Sequence, residues 1–484
     1  MDTSPAPVSG ADGATLTAPS AQTAAQTAGE ALAKARLPLA WKWIYAVGSL
    51  GLTILISAIG FFLLIFYTDV ALVPPALAST ALLVAKIWDT VNDPLFGWLS
   101  DRTRSRFGRR RIYLIVGALP LALATYLLWS VPAGLSAGWA FAWIALTYII
   151  FDTFFTIVQV PMNALAAEIT PDYDERTSLL AYAGVGAVAG YLLGSILMRV
   201  IVGRFDDPSQ GYAVAGAIFG GLVGLSVALV AWKIREPAEM QGKQSTLPIL
   251  SAIRATFHNR PFVRLLAAFS LARISFTLLS AVLAYYVTYH LGAEGKLTLI
   301  ILVLMLVIGL FIPVWRMLAR RWSKGFAYGL GLTVAALSLF FTYFLPQGSV
   351  KGMFLVVAVA GFGLSAHWVL PWAMLPDVVE YDEDRTGQRR EGMYYGVYGL
   401  LDKIARTIGI FAVGWVLDFF GYVPNVAQTA RSLQGIRLLF GPVSAILLLL
   451  AVPLLLTYPI TRASHQELRE RLAAKRAATP VAGE

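Results

Sequence analysis

The chain has 484 residues, 57% of them hydrophobic and 14% charged, which is too apolar for an ordinary soluble protein. Its formal net charge of +10 would suit a nucleic-acid partner if it were clustered, but the basic residues lie in loops between apolar runs, which argues against such a partner. There is no cysteine, which excludes disulfide and thiolate chemistry, and the four histidines at 258, 290, 367 and 465 show no metal-ligand spacing.

Residues 1–38 are rich in Ala, Thr, Ser and Pro and lack a basic stretch leading into an apolar one, so they read as a disordered cytoplasmic tail and not as a signal peptide. Beyond them lie twelve apolar runs, about 43–68, 76–99, 112–131, 138–167, 178–202, 212–234, 262–289, 298–318, 326–345, 352–376, 392–420 and 436–460. Each is long enough for a bilayer, which takes ~20 residues. The expected fold is all-α and integral to the membrane, with twelve transmembrane helices in two six-helix bundles. Lys and Arg crowd the loops after the even-numbered runs, whereas those after the odd-numbered runs hold only Arg204, Lys296, Lys351 and Arg431. This asymmetry places both termini in the cytoplasm.

In the first run Ser49, Thr53 and Ser57 recur every four residues as a weakly polar stripe, fit either for close helix packing or for lining a cavity. The second run leads into the most informative stretch, KIWDTVNDPLFGWLSDRTRSRFGRRR at 86–111. Asp89 and Asp93, four residues apart, stack on one helical face with Lys86 close to it. A charge at the bilayer centre costs at least ~2.5–3.5 kcal/mol, so two acids there point to an ion pathway, against a purely structural ion pair with Lys86 or another helix. In the fourth run Asp152, Thr156 and Gln159 share a face that offers a polar solute hydrogen bonds or a cation oxygen ligands. Pro161 then removes a backbone donor and marks a kink. The fifth and sixth runs, GVGAVAGYLLGS and GAIFGGLVGLS, are built for close helix approach.

Residues 235–261 form the one long polar segment between runs and are read as a cytoplasmic linker between an N-terminal bundle (39–234) and a C-terminal bundle (262–460). The halves echo each other: Pro161 stands thirteen residues before Asp174 in YDERT, and Pro371 thirteen before Asp384 in YDEDRT. Parallel six-helix repeats place a substrate near the midplane between the halves. In the second half Arg273, His367, Trp368, Asp402, Lys403 and Arg406 are the polar groups inside apolar runs. Lys403 requires water or a carboxylate; the acids of the second run and the adjacent Asp402 are both available to it. The tail 461–484 carries a basic, mildly amphipathic helix, HQELRERLAAKR.

The segments YTDV, KIWDTVNDPLFGWLSDRTRSRFGRRR, PWAMLPDVVEYDEDRTGQRREGMYYGVYG and GYVPNVAQTARSLQG resemble the glycoside–pentoside–hexuronide:cation symporters, the melibiose-permease branch of the major facilitator superfamily, over about residues 43–460. The resemblance implies alternating access with uptake of a sugar-like solute coupled to Na⁺ or H⁺. It makes Asp89 and Asp93 the cation-site carboxylates, joined by Asn92 and Thr156, sets Lys403 beside them and Trp368 at the edge of the sugar cavity. Asp101, Arg102 and Arg109 match the cytoplasmic signature loop and are expected to form a gate. Three sugar-binding charges of melibiose permeases are replaced: Thr53, Gln159 and Ala183 stand at or nearest those positions. Thr53, Asp152, Gln159, Trp368 and Lys403 are therefore the expected substrate contacts, with a lipid-like amphipathic solute as the alternative cargo. No nucleophile–base pair or soluble catalytic unit supports an enzyme. The expectation is a multi-pass protein of the plasma membrane, that of a bacterial inner membrane, acting as a monomer with no cofactor beyond its coupling ion. If that ion is Na⁺, Asp89 and Asp93 are its metal ligands.

Overall fold

The computed structural model describes residues 37–170, 173–234, 256–387 and 390–478. Nearly all of the expected N-terminal tail, most of the expected linker and the side chains of Asp101 and Asp174 lie outside the described residues. Among those described, every regular element is a helix. The first half contains α1 (Leu39–Ala58, prolonged by π-turns at Ile59–Leu63 and Phe66–Val70), α2 (Pro75–Arg102), α3 (Arg111–Leu128), α4 (Ala137–Glu168), α5 (Tyr173–Val202) and α6 (Pro208–Lys233). The second contains α7 (Arg260–Tyr285, prolonged by a π-turn at Tyr286–His290), α8 (Leu297–Arg321), α9 (Lys324–Phe341), α10 (Val350–Thr386), α11 (Glu391–Phe419) and α12 (Ala430–Leu456). A further helix, α13, spans Arg462–Ala478.

Local sequence sets many of these limits. Asp207 accepts a hydrogen bond from the amide of Ser209 ahead of α6, Asn259 from Phe262 ahead of α7, and Ser323 from Phe326 ahead of α9. Pro208 and Pro261 occupy first-turn positions, where a missing N–H costs nothing. Gly387, at φ 68°, closes α10 in the left-handed conformation. Pro161 and Pro371 sit inside α4 and α10, which both continue past them as single helices.

Ten of the helices are long and apolar enough to cross a membrane. The other two long helices, α2 and α11, hold the charged clusters described below. The packing repeats with a shift of six. In the first half α1 packs on α5 and α6, α3 on α4 and α6, and α2 on α4; in the second, α7 packs on α11 and α12, α9 on α10 and α12, and α8 on α10. The two halves meet along α2–α11 and α5–α8, which the same shift interchanges.

The α1–α5 seam shows how composition dictates approach. Gly186, Gly190 and Gly194 recur every four residues and face Ala46, Leu50 and Ile54 of α1, themselves four apart. A Cβ on these glycines would come within 2.0, 2.3 and 2.3 Å of the carbonyl oxygens of those three residues. The seam exists because there is no side chain there.

At one end of the bundle the π-turns of α1 carry Thr68 and Asp69 into the second half. Tyr289 and Tyr422 donate to the Asp69 carboxylate, Tyr422 at 2.6 Å, and Asn425 donates to the Asp69 carbonyl at 2.5 Å. Thr68 shares a 2.7 Å hydrogen bond with Tyr285. The opposite end carries the Arg-rich loop 103–110 and α13.

Overpacking a tight contact costs about 1–3 kcal/mol, so Gly190→Ala is expected to lower the thermal midpoint of the purified protein by several degrees. Gly184→Ala, a site with no neighbour within 4 Å, should leave it unchanged. Equal midpoints for the two variants would remove the seam from the list of constraints on the fold.

Candidate ion and substrate site

Three helices bring the site together. α2 supplies Lys86, Asp89, Asn92 and Asp93 from one face; α4 supplies Asp152 and Thr156; α11 reaches across from the second half with Lys403. The Lys403 ammonium donates to Asp89 at 2.7 Å and also to Asp93. Lys86 donates to Asp89 at 3.1 Å and to Asp152 at 2.8 Å, with its ammonium 5.2 Å from the Tyr148 ring centroid. Thr156 donates to Asp93 at 2.9 Å, and the Asn92 amide donates to the Asp152 carbonyl at 3.3 Å.

Three carboxylates therefore face two ammonium groups, and the cluster retains one formal negative charge. Desolvated charge of one sign is costly unless it is neutralised, so the arrangement suits one monovalent cation or one proton. Asp89 is 2% exposed and Asp93 32%, which makes Asp93 the more accessible carboxylate of the pair. Asn92 is fully buried and its side-chain oxygen has no hydrogen-bond partner, so a neutral oxygen ligand stands ready beside the acids. With the Thr156 hydroxyl, the donor set is all oxygen, as hard cations require. In this structure the Lys403 ammonium occupies the position between Asp89 and Asp93.

A second cluster lies on the other side of α11. Asp402 pairs with Arg273 of α7 at 2.5 Å and with Arg406 one turn along its own helix. Here two guanidinium groups face one carboxylate, leaving one positive charge. Of the two alternatives open to Lys403 in the sequence, the structure selects the acids of α2; Asp402 turns to the arginines instead. Trp368 of α10 sits between the halves, edge-on to Tyr191 of α5 at 5.3 Å and to Phe276 of α7 at 5.9 Å. Its indole N–H is buried without a hydrogen-bond partner. His367 shares a 2.7 Å hydrogen bond with Tyr328 and stacks on Phe269.

The remaining expected site residues divide. Asp152 is 2% exposed and engaged by Lys86, so it belongs to the charged cluster. Gln159 is half-buried further along the same face of α4, outside the network. Thr53 is half-buried with its hydroxyl donating to the Ser49 carbonyl at 2.7 Å, within its own helix. Arg102 is exposed at the end of α2, and Arg109 is buried in the loop that follows. The side chain of Asp101 lies outside the described residues. Two features had no assigned role at the level of sequence: the Arg273–Asp402–Arg406 cluster and the Asp69 latch. The first had a signal, three charges inside apolar runs, but no spacing that pairs residues 129 positions apart.

Comparison with known proteins places this geometry. Residues 44–462 match the family described as MFS/sugar transport protein. An uncharacterized symporter of Synechocystis is 29% identical, over 92% of this chain and 98% of its own length. The sodium-dependent lysophosphatidylcholine symporter 1 of Gallus gallus is 28% identical, over 90% of this chain and 89% of its own. Among solved structures, a D-xylose–proton symporter superposes with a TM-score of 0.63 at 14% identity, covering 87% of this chain and 97% of that one. An inward-facing, occupied bacterial homologue of the human lysosomal transporter Spinster gives 0.65 at 13%, covering 88% and 97%. A family match over most of the chain, two six-helix halves and a charged site between them agree, and the chain belongs to the MFS/sugar transport family, the melibiose-permease-like branch of the major facilitator superfamily.

Proposed function

We propose that the protein is a cation-coupled symporter that works by alternating access, with all twelve long helices spanning the plasma membrane and the Arg-rich end in the cytoplasm. The observation that carries this reading is the single unbalanced negative charge of the Asp89–Asp93–Asp152 cluster, bridged between the halves by Lys403. Na⁺ or H⁺ entering at Asp93 displaces Lys403 from it, with the Asn92 and Thr156 oxygens completing the shell around Na⁺. The cluster then becomes electrically balanced, and the bundles can close around it at lower electrostatic cost. The sodium dependence named for the lysophosphatidylcholine symporter favours Na⁺.

The solute lies next to this site, against Trp368, where α5, α7 and α10 converge. A sugar-like solute is the first reading, stacked on the Trp368 ring and hydrogen-bonded by its indole N–H and by Gln159. The surplus positive charge of Arg273 and Arg406 supports a solute carrying a carboxylate or phosphate. It also keeps a lysophospholipid-like cargo as the second reading, one the relatives favour independently. The Asp69 latch, on this orientation, is the extracellular gate.

The deciding experiment is uptake into proteoliposomes of labelled glycosides, pentosides, uronides and a lysolipid, each under a Na⁺ gradient and an H⁺ gradient separately. Accumulation of one class under one gradient is expected. Asp93→Asn should abolish that accumulation while the protein still folds and inserts; concentrative uptake by the variant would overturn the ion-site assignment. Lysolipid movement without any sugar response would exchange the first reading for the second.

Because the chain has no cysteine, Thr53→Cys supplies a single label at a half-buried position of α1. Adding Asp69→Ala removes hydrogen bonds that each contribute roughly 0.5–1.5 kcal/mol, which shifts a two-state closure by about tenfold or more. Labelling by an impermeant maleimide from the Asp69 side is expected to rise accordingly. An unchanged rate would show that Asp69 does not hold that end closed.

A further inference from the structure

At the Arg-rich end of the second half a cavity of about 500 Å³ opens between α8, α9, α10 and the start of α13. Its rim carries Arg316, Arg320, Lys324 and Arg462, with Asp377 the single acidic group lining it among the described residues. Lys324 donates to Asp377 at 2.6 Å, and Arg462 donates to the Arg320 carbonyl at 2.8 Å, which pins α13 to the end of α8. His465 reaches Glu380 at 2.9 Å and Asp377 at 3.5 Å, so the one carboxylate is already engaged twice. Arg316 and Arg320 keep exposed side chains. The floor is apolar, formed by Val369, Leu370 and Ala373 of α10.

Two further observations say what fits. The outer face of α8 is an exposed apolar stripe, Leu306, Leu310 and Met317, 53%, 70% and 63% exposed, spaced to run straight down into Arg316 and Arg320. Trp322 and Phe326, both exposed and edge-to-face at 5.2 Å, stand beside the rim as aromatic side chains do at headgroup level. A free anion would use the arginines but neither the stripe nor the apolar floor. A molecule with a phosphodiester head and acyl chains uses all three.

We propose that this cavity is a binding site for an anionic phospholipid of the surrounding bilayer, its phosphate held by Arg316, Arg320 and Arg462 and its chains lying along α8. The site is separate from the ion and substrate cluster and carries no cargo. It braces α10 on the side opposite Trp368, with floor residues on either side of Pro371, so an occupied cavity steadies the helix that borders the solute. This assignment stands independently of which solute or ion is transported.

The test uses the full-length protein, delipidated in a neutral detergent, with thermal stability and Trp fluorescence as readouts. Titration with short-chain phosphatidylglycerol is expected to raise the midpoint saturably, while phosphatidylcholine of the same chain length and inorganic phosphate leave it unmoved. The double variant Arg316→Gln/Arg320→Gln should weaken the phosphatidylglycerol response roughly tenfold or more, two basic contacts being lost. If the double variant does not purify, Arg316→Gln alone, an exposed side chain, carries the comparison. An equal response to inorganic phosphate would make this a free-anion site and overturn the lipid assignment. An equal response to phosphatidylcholine would reduce it to nonspecific lipid binding, and undiminished binding by the variants would place the lipid elsewhere.

Discussion

The two halves of this molecule are joined near their centre by one ammonium group. Lys403 belongs to α11 of the second half, and both of its partners, Asp89 and Asp93, belong to α2 of the first. In water such a contact would contribute little. Here Asp89 is nearly sealed from solvent and the lysine only partly open, so neither partner can lose the other without exposing an uncompensated charge in a poorly hydrated place. That constraint explains why α2 and α11 pack so closely although both carry charges within their length and neither is among the ten helices apolar enough to cross a membrane. It also explains why Asp152 needs its own lysine: Lys86 neutralises a carboxylate that would otherwise add to the same surplus.

The surroundings follow from keeping that junction both closed and movable. The first helices of the two halves, α1 and α7, meet at the Asp69 end through the Tyr289 hydroxyl, joined by Tyr422 and Asn425 from the segment after α11, contacts that are directional and individually modest. Each of those helices reaches the latch through a π-turn, a wider helical turn that re-aims the side chains beyond it. Within the first half, by contrast, α1 and α5 touch backbone to backbone along three glycines, a seam with no side chains to rearrange. Rigid seams inside a half and polar, reversible contacts between halves are the combination a rocking mechanism needs.

What could be read from the chain alone followed the distance over which each signal acts. Asp89 and Asp93 declared themselves because charges in apolar helices are rare and a four-residue spacing puts them on one face. The shared face of Asp152 and Thr156 was equally local, and the structure directs both toward α2. Residue patterns alone could not name the partner of Lys403, since the adjacent Asp402 and the acids more than 300 residues away were both open; the family resemblance set it beside Asp89 and Asp93, and packing across the halves agrees. Arg273 and the latch tyrosines failed for the same reason. Gln159 lies on the expected face but outside the hydrogen-bond network, a reminder that helical phase fixes direction and not contact. Hydropathy likewise marked where α10 leaves apolar surroundings, near residue 376, while the helix itself runs on to Thr386, since its polar segment VVEYDEDRT continues to satisfy its own backbone.

The order of residues along one turn of α11 has a mechanical consequence. Asp402 and Lys403 are adjacent, so they point about 100° apart around the helix axis, one toward the arginine pair and the other toward the acids of α2. A helix backbone resists local twisting, and α11 therefore behaves as a rigid axle carrying two cams. Turning it enough to release Lys403 from Asp93 must also turn Asp402 and Arg406 against Arg273. A one-residue insertion between 402 and 403 would leave every charge in the chain yet set the cams out of phase, and ion and solute would then move through the same protein without being counted against each other.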